Sequence, residues 1–276
     1  MTPAPVGFRA AGATDVARLR RTLIAAGAFA DEVELDCVWR ADPWRIQVTE
    51  RGDAAVLTRW RDHLDVLAVE ALWCRERDIP DAIAELRELG LGRGYGDLLG
   101  PPVPLEQAGP YEDAGMRVFE TVTTFRRATR TDGAPESAAV AGVTIRDATA
   151  GDVDALLAID AGCFGDFWRY DRTNMTRFLR TQRVAVAVGA EGPIGYTLST
   201  VSRGDGLLGR VAVAPGSRGC GVGRLLVTDV LDALRERDVG QVALCTQTEN
   251  EAARALYRAC GFVDVGQPVV FMRFGG

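Results

Sequence analysis

Apolar and polar residues alternate in short segments along this chain, and longer stretches with helical periodicity separate them. An alternation with a period of two residues places apolar side chains on one face of a sheet. The alternating segments are 44–49, 54–60 and 64–73 in the first half and 183–188, 194–201 and 207–214 in the second. The pattern therefore predicts an α/β fold of the α+β type, in which helices flank a mixed, mostly antiparallel twisted sheet.

The same plan occurs twice. Residues 6–19 align without a gap with residues 143–156 and share a valine, an arginine, two alanines, an Asp-Val pair and a leucine. Each copy predicts a short strand, a turn and a capped helix with aspartate in its first turn. Residues 110–116 and 256–262 likewise share a tyrosine and a glycine at one spacing. Two matches in the same order indicate an internal duplication.

The duplication predicts two domains, which suits a length of 276 residues. Residues 128–140 are small, polar and contain proline and glycine, which is typical of a linker. We therefore expect a first domain at 1–127, a linker at 128–140 and a second domain at 141–276.

Composition excludes several classes of protein. The net charge of −6 argues against a nucleic-acid partner, and no apolar run is long enough for a membrane helix. The first residues lack the pattern of a signal peptide. Six cysteines without CxxC spacing and one histidine, His63, give no zinc motif and favour a reducing cytoplasm. We expect a cytoplasmic protein without a metal, as a monomer or homodimer.

The most informative segment runs from Val211 to Leu226. An apolar strand leads into residues 218–223, here called the glycine loop, and then into a helix whose apolar residues lie on one face. Amides free of side-chain bulk at the positive end of a helix dipole bind phosphate or pyrophosphate. The matching segment of the first half, 74–81, has no glycine and carries acidic residues, so we expect the first half to lack this site.

Residues 218–223, Arg-Gly-Cys-Gly-Val-Gly, resemble the Arg/Gln-x-x-Gly-x-Gly/Ala signature of the GCN5-related N-acetyltransferase (GNAT) superfamily. Downstream, a strand, Asn250 and a helix bearing Leu256-Tyr257 resemble the second motif of that family. The resemblance is strong over 143–274, and over 6–127 it rests on the internal repeat. It implies two tandem GNAT-like domains, of which the N-terminal copy is degenerate.

The resemblance also implies acetyl-CoA as the acetyl donor and assigns roles to individual residues. Arg218 would contact phosphate, and Asn250 would steady the pantetheine or the acetyl end. Tyr257 would be the general acid that protonates the departing thiolate, although it could instead be a packing tyrosine like Tyr111. The pantetheine arm would pair with the backbone of Val211 and Val213. The amides on the pyrophosphate would be those of Gly219, Cys220, Gly221, Val222, Gly223 and Arg224.

The general base and the acceptor site stay open at this stage. Candidate bases are Glu249, Asp166, Asp171 and water. Cys220 and Cys245 suggest an acyl-enzyme, but this half has no histidine to activate a thiol, which favours direct attack by the amine. The acceptor wall is expected in residues 163–171, which could equally be a hydrophobic plug. Its candidate contacts are Phe164, Asp166, Trp168, Tyr170 and Asp171.

Taken together, the sequence predicts an acetyl-CoA-dependent N-acetyltransferase. The acceptor would be a primary amine of a small molecule or a peptide. The alternative from another class is a non-catalytic acyl-CoA-binding or sensor protein of the same fold. Within the transferase class, a peptide N-terminal acetyltransferase and a mycothiol-synthase-like enzyme are further alternatives.

Overall fold

The computed structural model describes residues 6–29, 31–61, 63–130, 139–202 and 204–275. Most of the predicted linker, residues 131–138, lies outside the described residues. The helices are α1 (Ala13–Ala25), α2 (Glu32–Ala41), α3 (Ile79–Leu91), α4 (Gly109–Asp113), α5 (Val153–Cys163), α6 (Arg172–Thr181), α7 (Val222–Glu236) and α8 (Glu251–Ala259).

The strands alternate with these helices along the chain. They are β1 (Arg9–Ala10), β2 (Ile46–Val48), β3 (Ala54–Arg59), β4 (Val66–Trp73), β5 (Asp97–Leu99), β6 (Val103–Pro104), β7 (Arg117–Ala128), β8 (Thr144–Asp147), β9 (Arg183–Gly189), β10 (Gly192–Ser202), β11 (Asp205–Val213), β12 (Gln241–Gln247), β13 (Val263–Asp264) and β14 (Val269–Arg273).

The chain divides into two compact units, which differ from the expected domain bounds at two strands. The first unit is 1–121 together with 269–276, and the second is 122–268. The last strand, β14, therefore belongs to the first unit, where it pairs with β5 and β6. Most of β7 belongs to the second unit, where it pairs with β12 from Val122 to Ala128.

Both units have the same order of strand pairings. In the first unit, β1, β2, β3 and β4 are antiparallel neighbours, and β4 is parallel to β5. In the second, β8, β9, β10 and β11 are antiparallel neighbours, and β11 is parallel to β12. The predicted mixed, mostly antiparallel sheets with flanking helices are confirmed.

Apolar residues of the helices pack on both faces of the second unit's sheet. On one face, α7 and α8 bury Val230, Leu234 and Phe262 against β11 and β12. On the other face, α5 and α6 bury Leu156, Met175 and their neighbours against β9 and β10. None of the described helices is both long and apolar enough to cross a membrane.

An equivalent ion pair in each unit supports the duplication. Arg9 of β1 pairs with Asp15 of α1 through Nη1 at 2.7 Å. At the aligned positions, Arg146 of β8 donates two hydrogen bonds, of 2.7 and 2.8 Å, to the carboxylate of Asp152. In both cases the carboxylate also accepts the backbone N–H three residues before it, at Gly12 and Thr149 respectively. The matching residues therefore perform the same local task.

Replacing Asp152 with asparagine is expected to lower the free energy of unfolding at neutral pH. The hydrogen bond from Arg146, followed by those from Thr149, holds the pKa of this carboxyl well below its usual range. Because the pKa is lower in the folded than in the unfolded chain, the stabilisation is present above about pH 3.9 and is lost as the pH falls further. Urea unfolding of wild type and variant at neutral pH and near pH 2, well below the pKa of the unfolded chain, checks this.

The matched control is Asp232→Asn, which removes an exposed pair with Arg235 on α7. That change should move stability little at either pH. An Asp152 variant whose stability deficit is the same at both pH values would contradict the linkage.

Candidate active site

The strands β11 and β12 diverge along their length, and this divergence opens a gap in the sheet. They pair only at Gly206 with Val242 and at Leu207 with Ala243. Beyond these positions β11 continues to Val213 and β12 to Gln247. Among the described residues, the end of β11 therefore has no strand neighbour on the side of β12.

The alternation of hydrogen bonds shows which backbone groups face this gap. The N–H of Ala214 donates to the carbonyl of Ile194 at 2.8 Å, so this residue faces β10. Antiparallel neighbours exchange hydrogen bonds at alternate residues, so Ala212 also faces β10, while Val211 and Val213 face away from it. These are the two residues whose backbone the sequence analysis assigned to the donor.

The glycine loop supplies a row of free amide donors beside this gap. Gly219 and Gly221 adopt positive φ values of 77° and 86°, and Gly221 directly precedes α7. Among the described residues, no group accepts a hydrogen bond from the backbone amides of residues 219–224. The first helical hydrogen bond runs from the N–H of Leu225 to the carbonyl of Gly221. Six donors at the positive end of a helix are the arrangement that binds phosphate groups.

Two glycines of the loop are required by their surroundings. A Cβ on Gly221 would combine a left-handed backbone with a contact of 3.4 Å to Cγ2 of Val140. A Cβ on Gly223 would lie 3.1 Å from Cδ2 of Leu256. Gly223 therefore allows α7 to approach α8 closely. The point of approach is Leu256, which directly precedes Tyr257.

Arg218 braces the start of the loop. Its Nε donates to the carbonyl of Val213 at 3.1 Å, and Nη2 donates to the carbonyl of Gly162 at 3.3 Å. The thiol of Cys163 donates to the same Val213 carbonyl at 3.2 Å. The Val213 carbonyl is therefore already engaged, whereas its N–H still faces the gap.

Tyr257 lies in the apolar cluster beside the gap. Its ring is 7% exposed and packs near Phe125 and Phe262, at centroid distances of 6.1 and 6.0 Å. Val211 packs against the same cluster. Burial raises the pKa of Tyr257 well above its usual value, with smaller contributions from Cys260 and Cys245. The phenol therefore stays protonated, as a proton donor must.

Asn250 and Glu249 lie at the start of α8. The side-chain oxygen of Asn250 accepts the N–H of Ala253 at 3.1 Å and so caps the helix. This bond does not use the amide nitrogen of the same side chain. Glu249 is exposed in the turn before the cap. Its assignment as a base stays a prediction.

The matching segment of the first unit has a different chemistry. Pro80, in the first turn of α3, has no N–H, and Asp78 and Asp81 place carboxylates at the same helix end. An open groove of about 640 Å³ lies there, and its lining mixes arginines with acids. The lining residues are Arg75, Glu76, Arg77, Pro80, Pro110 and Asp113.

A buried ion pair that the sequence analysis missed joins the expected acceptor wall to β11. Asp160, in the last turn of α5, is 1% exposed. Arg210 donates to both of its oxygens, through Nε and Nη2 at 2.9 Å each. The hydroxyl of Tyr196 and the N–H of Tyr170 donate to the same carboxylate. Burial raises the pKa of Tyr196 well above its usual value, so its hydroxyl remains a donor.

The same arginine organises the aromatic residues of the acceptor segment, residues 163–171. The guanidinium lies 3.3 Å from the ring centroid of Phe164 and 4.3 Å from that of Tyr170. Its Nη2 also donates to the carbonyl of Trp168 at 2.7 Å. Arg210 therefore covers one ring face of Phe164 and one of Tyr170, two residues that the sequence analysis predicted to contact the acceptor.

The two predicted acids of this segment are also engaged. Asp166 forms an ion pair with Arg169 at the surface. Asp171 caps α6 by accepting the N–H of Asn174 at 2.5 Å. Neither geometry indicates a catalytic base.

A weak sequence signal for the buried pair was available. Asp160 follows Leu156 and Ile159 on the apolar face of a helix, and Arg210 interrupts the alternation of β11. Opposite charges at two buried positions are expected to pair, because an unpaired buried charge is costly.

Comparison with known proteins finds a family match over the region that contains the glycine loop. Residues 153–262 match the model of the acetyltransferase (GNAT) family. This region belongs to the GNAT family. A solved tandem GNAT protein from the clavulanic acid biosynthesis pathway aligns with a TM-score of 0.69, at 19% identity over 98% of both chains. The whole chain thus has the fold of that tandem protein, in agreement with the two domains that the internal repeat predicted.

Several sequence relatives are named mycothiol acetyltransferase. The protein from Beutenbergia cavernae is 47% identical over 55 residues, which are 20% of this chain and 18% of the relative. The protein from Clavibacter sepedonicus is 31% identical over 144 residues, which are 48% of this chain and 47% of the relative. The chain thus spans less than half the length of each of these two relatives.

Replacing Asp160 with asparagine is expected to cost about 3–5 kcal/mol of unfolding free energy, because it leaves the buried Arg210 without its counter-charge. Urea unfolding measures the loss. The matched control, Asp166→Asn, breaks an exposed pair in the same unit and should cost about 0–1 kcal/mol. Equal losses of unfolding free energy in the two variants would contradict the expectation that the buried pair matters more for stability than the exposed one.

Proposed function

We propose that this GNAT protein is an acetyl-CoA-dependent N-acetyltransferase that acts on a primary amine of a small molecule or peptide. The observation that carries the proposal is the row of amides at 219–224, for which the described residues supply no acceptor. This row lies beside the edge of β11, where backbone N–H and carbonyl groups have no partner strand among the described residues. A pyrophosphate joined to an amide-containing arm matches both features.

The residues present fit this donor. The amides of the glycine loop would hold the pyrophosphate, as at other helix N-termini. The N–H and carbonyl of Val211 and the N–H of Val213 would pair with the amides of the pantetheine arm, like an added strand. Arg218 already braces the loop from inside, so its contribution to binding is to fix the position of the amides. The free amide nitrogen of Asn250 would add a donor at the far side of the gap.

Acetyl-CoA supplies a thioester carbonyl, to which the amine nitrogen bonds as the carbon–sulfur bond breaks. Tyr257 would then give its phenolic proton to the leaving sulfur. Its burial keeps the proton on the phenol until a thiolate develops nearby. A positioned proton donor of this kind typically contributes about 10²–10⁴-fold to the rate.

The acceptor has to lose a proton as well. Glu249 is exposed in the turn beside α8, whereas Asp166 and Asp171 are held by protein partners. Glu249, acting directly or through water, is therefore the best placed of the three candidate bases. The thiols of Cys220 and Cys245 need take no part, because direct attack by the amine requires no protein nucleophile.

A second candidate acceptor is the amine used by the enzymes named mycothiol acetyltransferase. The two sequence matches carry this candidate, and both cover only parts of the chains. An acceptor panel with CoA release as the readout distinguishes it from peptides and other small amines.

A non-catalytic acyl-CoA-binding protein is the alternative from another class. It would need the amides of the glycine loop but no proton donor beside the gap. Binding of acetyl-CoA without any amine-dependent release of CoA, across a broad acceptor panel, would favour this alternative and overturn the transferase.

Replacing Gly221 with valine is expected to weaken acetyl-CoA binding by about tenfold or more, because a left-handed backbone costs a residue with a Cβ roughly 1–2 kcal/mol. The branched side chain would also press on Val140. Calorimetry measures the affinity, and wild type should show one site per chain. The control is Gly216→Ala, since a Cβ on Gly216 meets no atom within 4 Å. Normal affinity in the Gly221 variant would contradict the proposed site.

Replacing Tyr257 with phenylalanine is expected to lower kcat by about 10²-fold, with a much smaller change in KM for acetyl-CoA. The ring packing is kept and only the proton donor is lost. Steady-state kinetics that follow CoA release measure both constants. The matched control is Tyr111→Phe at the aligned, buried position of the first unit, which should leave kcat unchanged. An unchanged kcat in the Tyr257 variant would remove this residue from the acid role.

A further inference from the structure

The Asp160–Arg210 pair joins four parts of the second unit at one buried point. Asp160 belongs to α5 and Arg210 to β11, while Tyr196 donates from β10 and Tyr170 from the acceptor segment. Tyr196 has no exposed surface, and Asp160 and Arg210 are 1% and 8% exposed. The contacts therefore form inside the protein and are little screened by solvent.

The position of Asp160 makes Arg210 necessary. The carboxylate lies in the last turn of α5, where the negative end of the helix dipole disfavours an anion. Burial disfavours the charge a second time. The guanidinium offsets both costs with two hydrogen bonds in a fixed geometry, which a lysine ammonium cannot reproduce.

The arginine also fixes the backbone of the acceptor segment. Its Nη2 holds the Trp168 carbonyl at 2.7 Å, and Asp160 holds the Tyr170 N–H at 2.9 Å. Phe164 covers the guanidinium from one end of the segment at 3.3 Å. The backbone of Trp168 is therefore held at its own carbonyl, while its side chain remains partly exposed.

The next residue along β11 is Val211, whose backbone faces the gap. A change in the position of the Arg210 guanidinium would therefore change the distance between the acceptor segment and β11, the strand that would hold the donor. We infer that Asp160 and Arg210 are positioning residues for the acceptor, which set the acceptor segment against β11 without contacting either substrate. This inference rests on the proposed function.

The test is the variant Arg210→Lys, which keeps the positive charge and loses the paired hydrogen bonds. Hydrogen exchange should become about 10-fold faster or more at residues 164–170 and change little in β9 and α7. The Kd for acetyl-CoA, measured by calorimetry, should stay within about 3-fold of wild type. For the amine that wild type acetylates fastest in an acceptor panel, KM should rise about 10-fold, with a smaller change in kcat.

The matched control is Arg183→Lys. Arg183 pairs with Asp229 at 2.6 Å and with Asp147 at 3.1 Å in the same unit, and both of these partners lie outside the acceptor segment. It should lower stability without changing exchange at 164–170 or the acceptor KM. Should Arg210→Lys fold poorly, Tyr196→Phe removes one of the donors to Asp160 and leaves the pair, and it should give smaller changes in the same direction.

The outcomes separate the two levels of the proposal. A wild type that neither binds acetyl-CoA nor acetylates an amine overturns the proposed function, while the exchange pattern still decides the positioning role. Unchanged or uniformly faster exchange in Arg210→Lys overturns the inference. So does a loosened acceptor segment in an active variant whose acceptor KM is that of wild type.

Discussion

The divergence of β11 from β12 is the constraint on which the candidate site depends. Two parallel strands that pair at only two positions leave backbone donors and acceptors along the rest of their facing edges. Such groups need partners, because unpaired polar groups shielded from water are costly. The protein meets part of this need itself, since Arg218 and Cys163 both donate to the Val213 carbonyl. The remaining groups point into the gap, where an extended ligand can complete the ladder.

The first unit shows that the divergence alone does not make such a site. Its parallel pair, β4 and β5, also ends early, since β4 continues to Trp73 beyond its last partner at Ala68. The helix that follows, however, has Pro80, which lacks an N–H, in its first turn and carries carboxylates at the same end. The fold was kept in both copies, and the anion chemistry depends on a few residues at one helix N-terminus. The two copies therefore share a fold and differ in the chemistry of this helix end.

The Asp160–Arg210 pair has a structural role that differs from that of the glycine loop. The glycine loop exposes backbone groups for a ligand, whereas this pair buries opposite charges and satisfies them within the protein. Buried ion pairs contribute little to net stability compared with apolar packing, but they fix the geometry of the segments that they join. Here the joined segments are the expected acceptor wall and the strand beside the gap. In the proposed function, the residue that would pair with the donor and the residue that would place the acceptor are therefore neighbours on β11, Val211 and Arg210.

The sequence by itself determined the duplicated α+β plan, the order of the middle strands and the glycine loop, because alternation, repeats and glycine spacing are local properties of the chain. It also singled out Tyr257 as the candidate general acid, through the resemblance of its motif to that of the GNAT family, and this role stays a prediction. Tertiary structure decided that β14 joins the first unit and that most of β7 joins the second, since strand pairing depends on partners far away in the chain. It also decided that Asp160 meets Arg210, because the pattern of the chain indicates at most that each position is buried and does not identify a partner 50 residues away. Finally, it showed that the carboxylates of Asp166 and Asp171 have partners within the protein, Arg169 and the N–H of Asn174. The sequence identifies both residues as acids but cannot show that these contacts engage them.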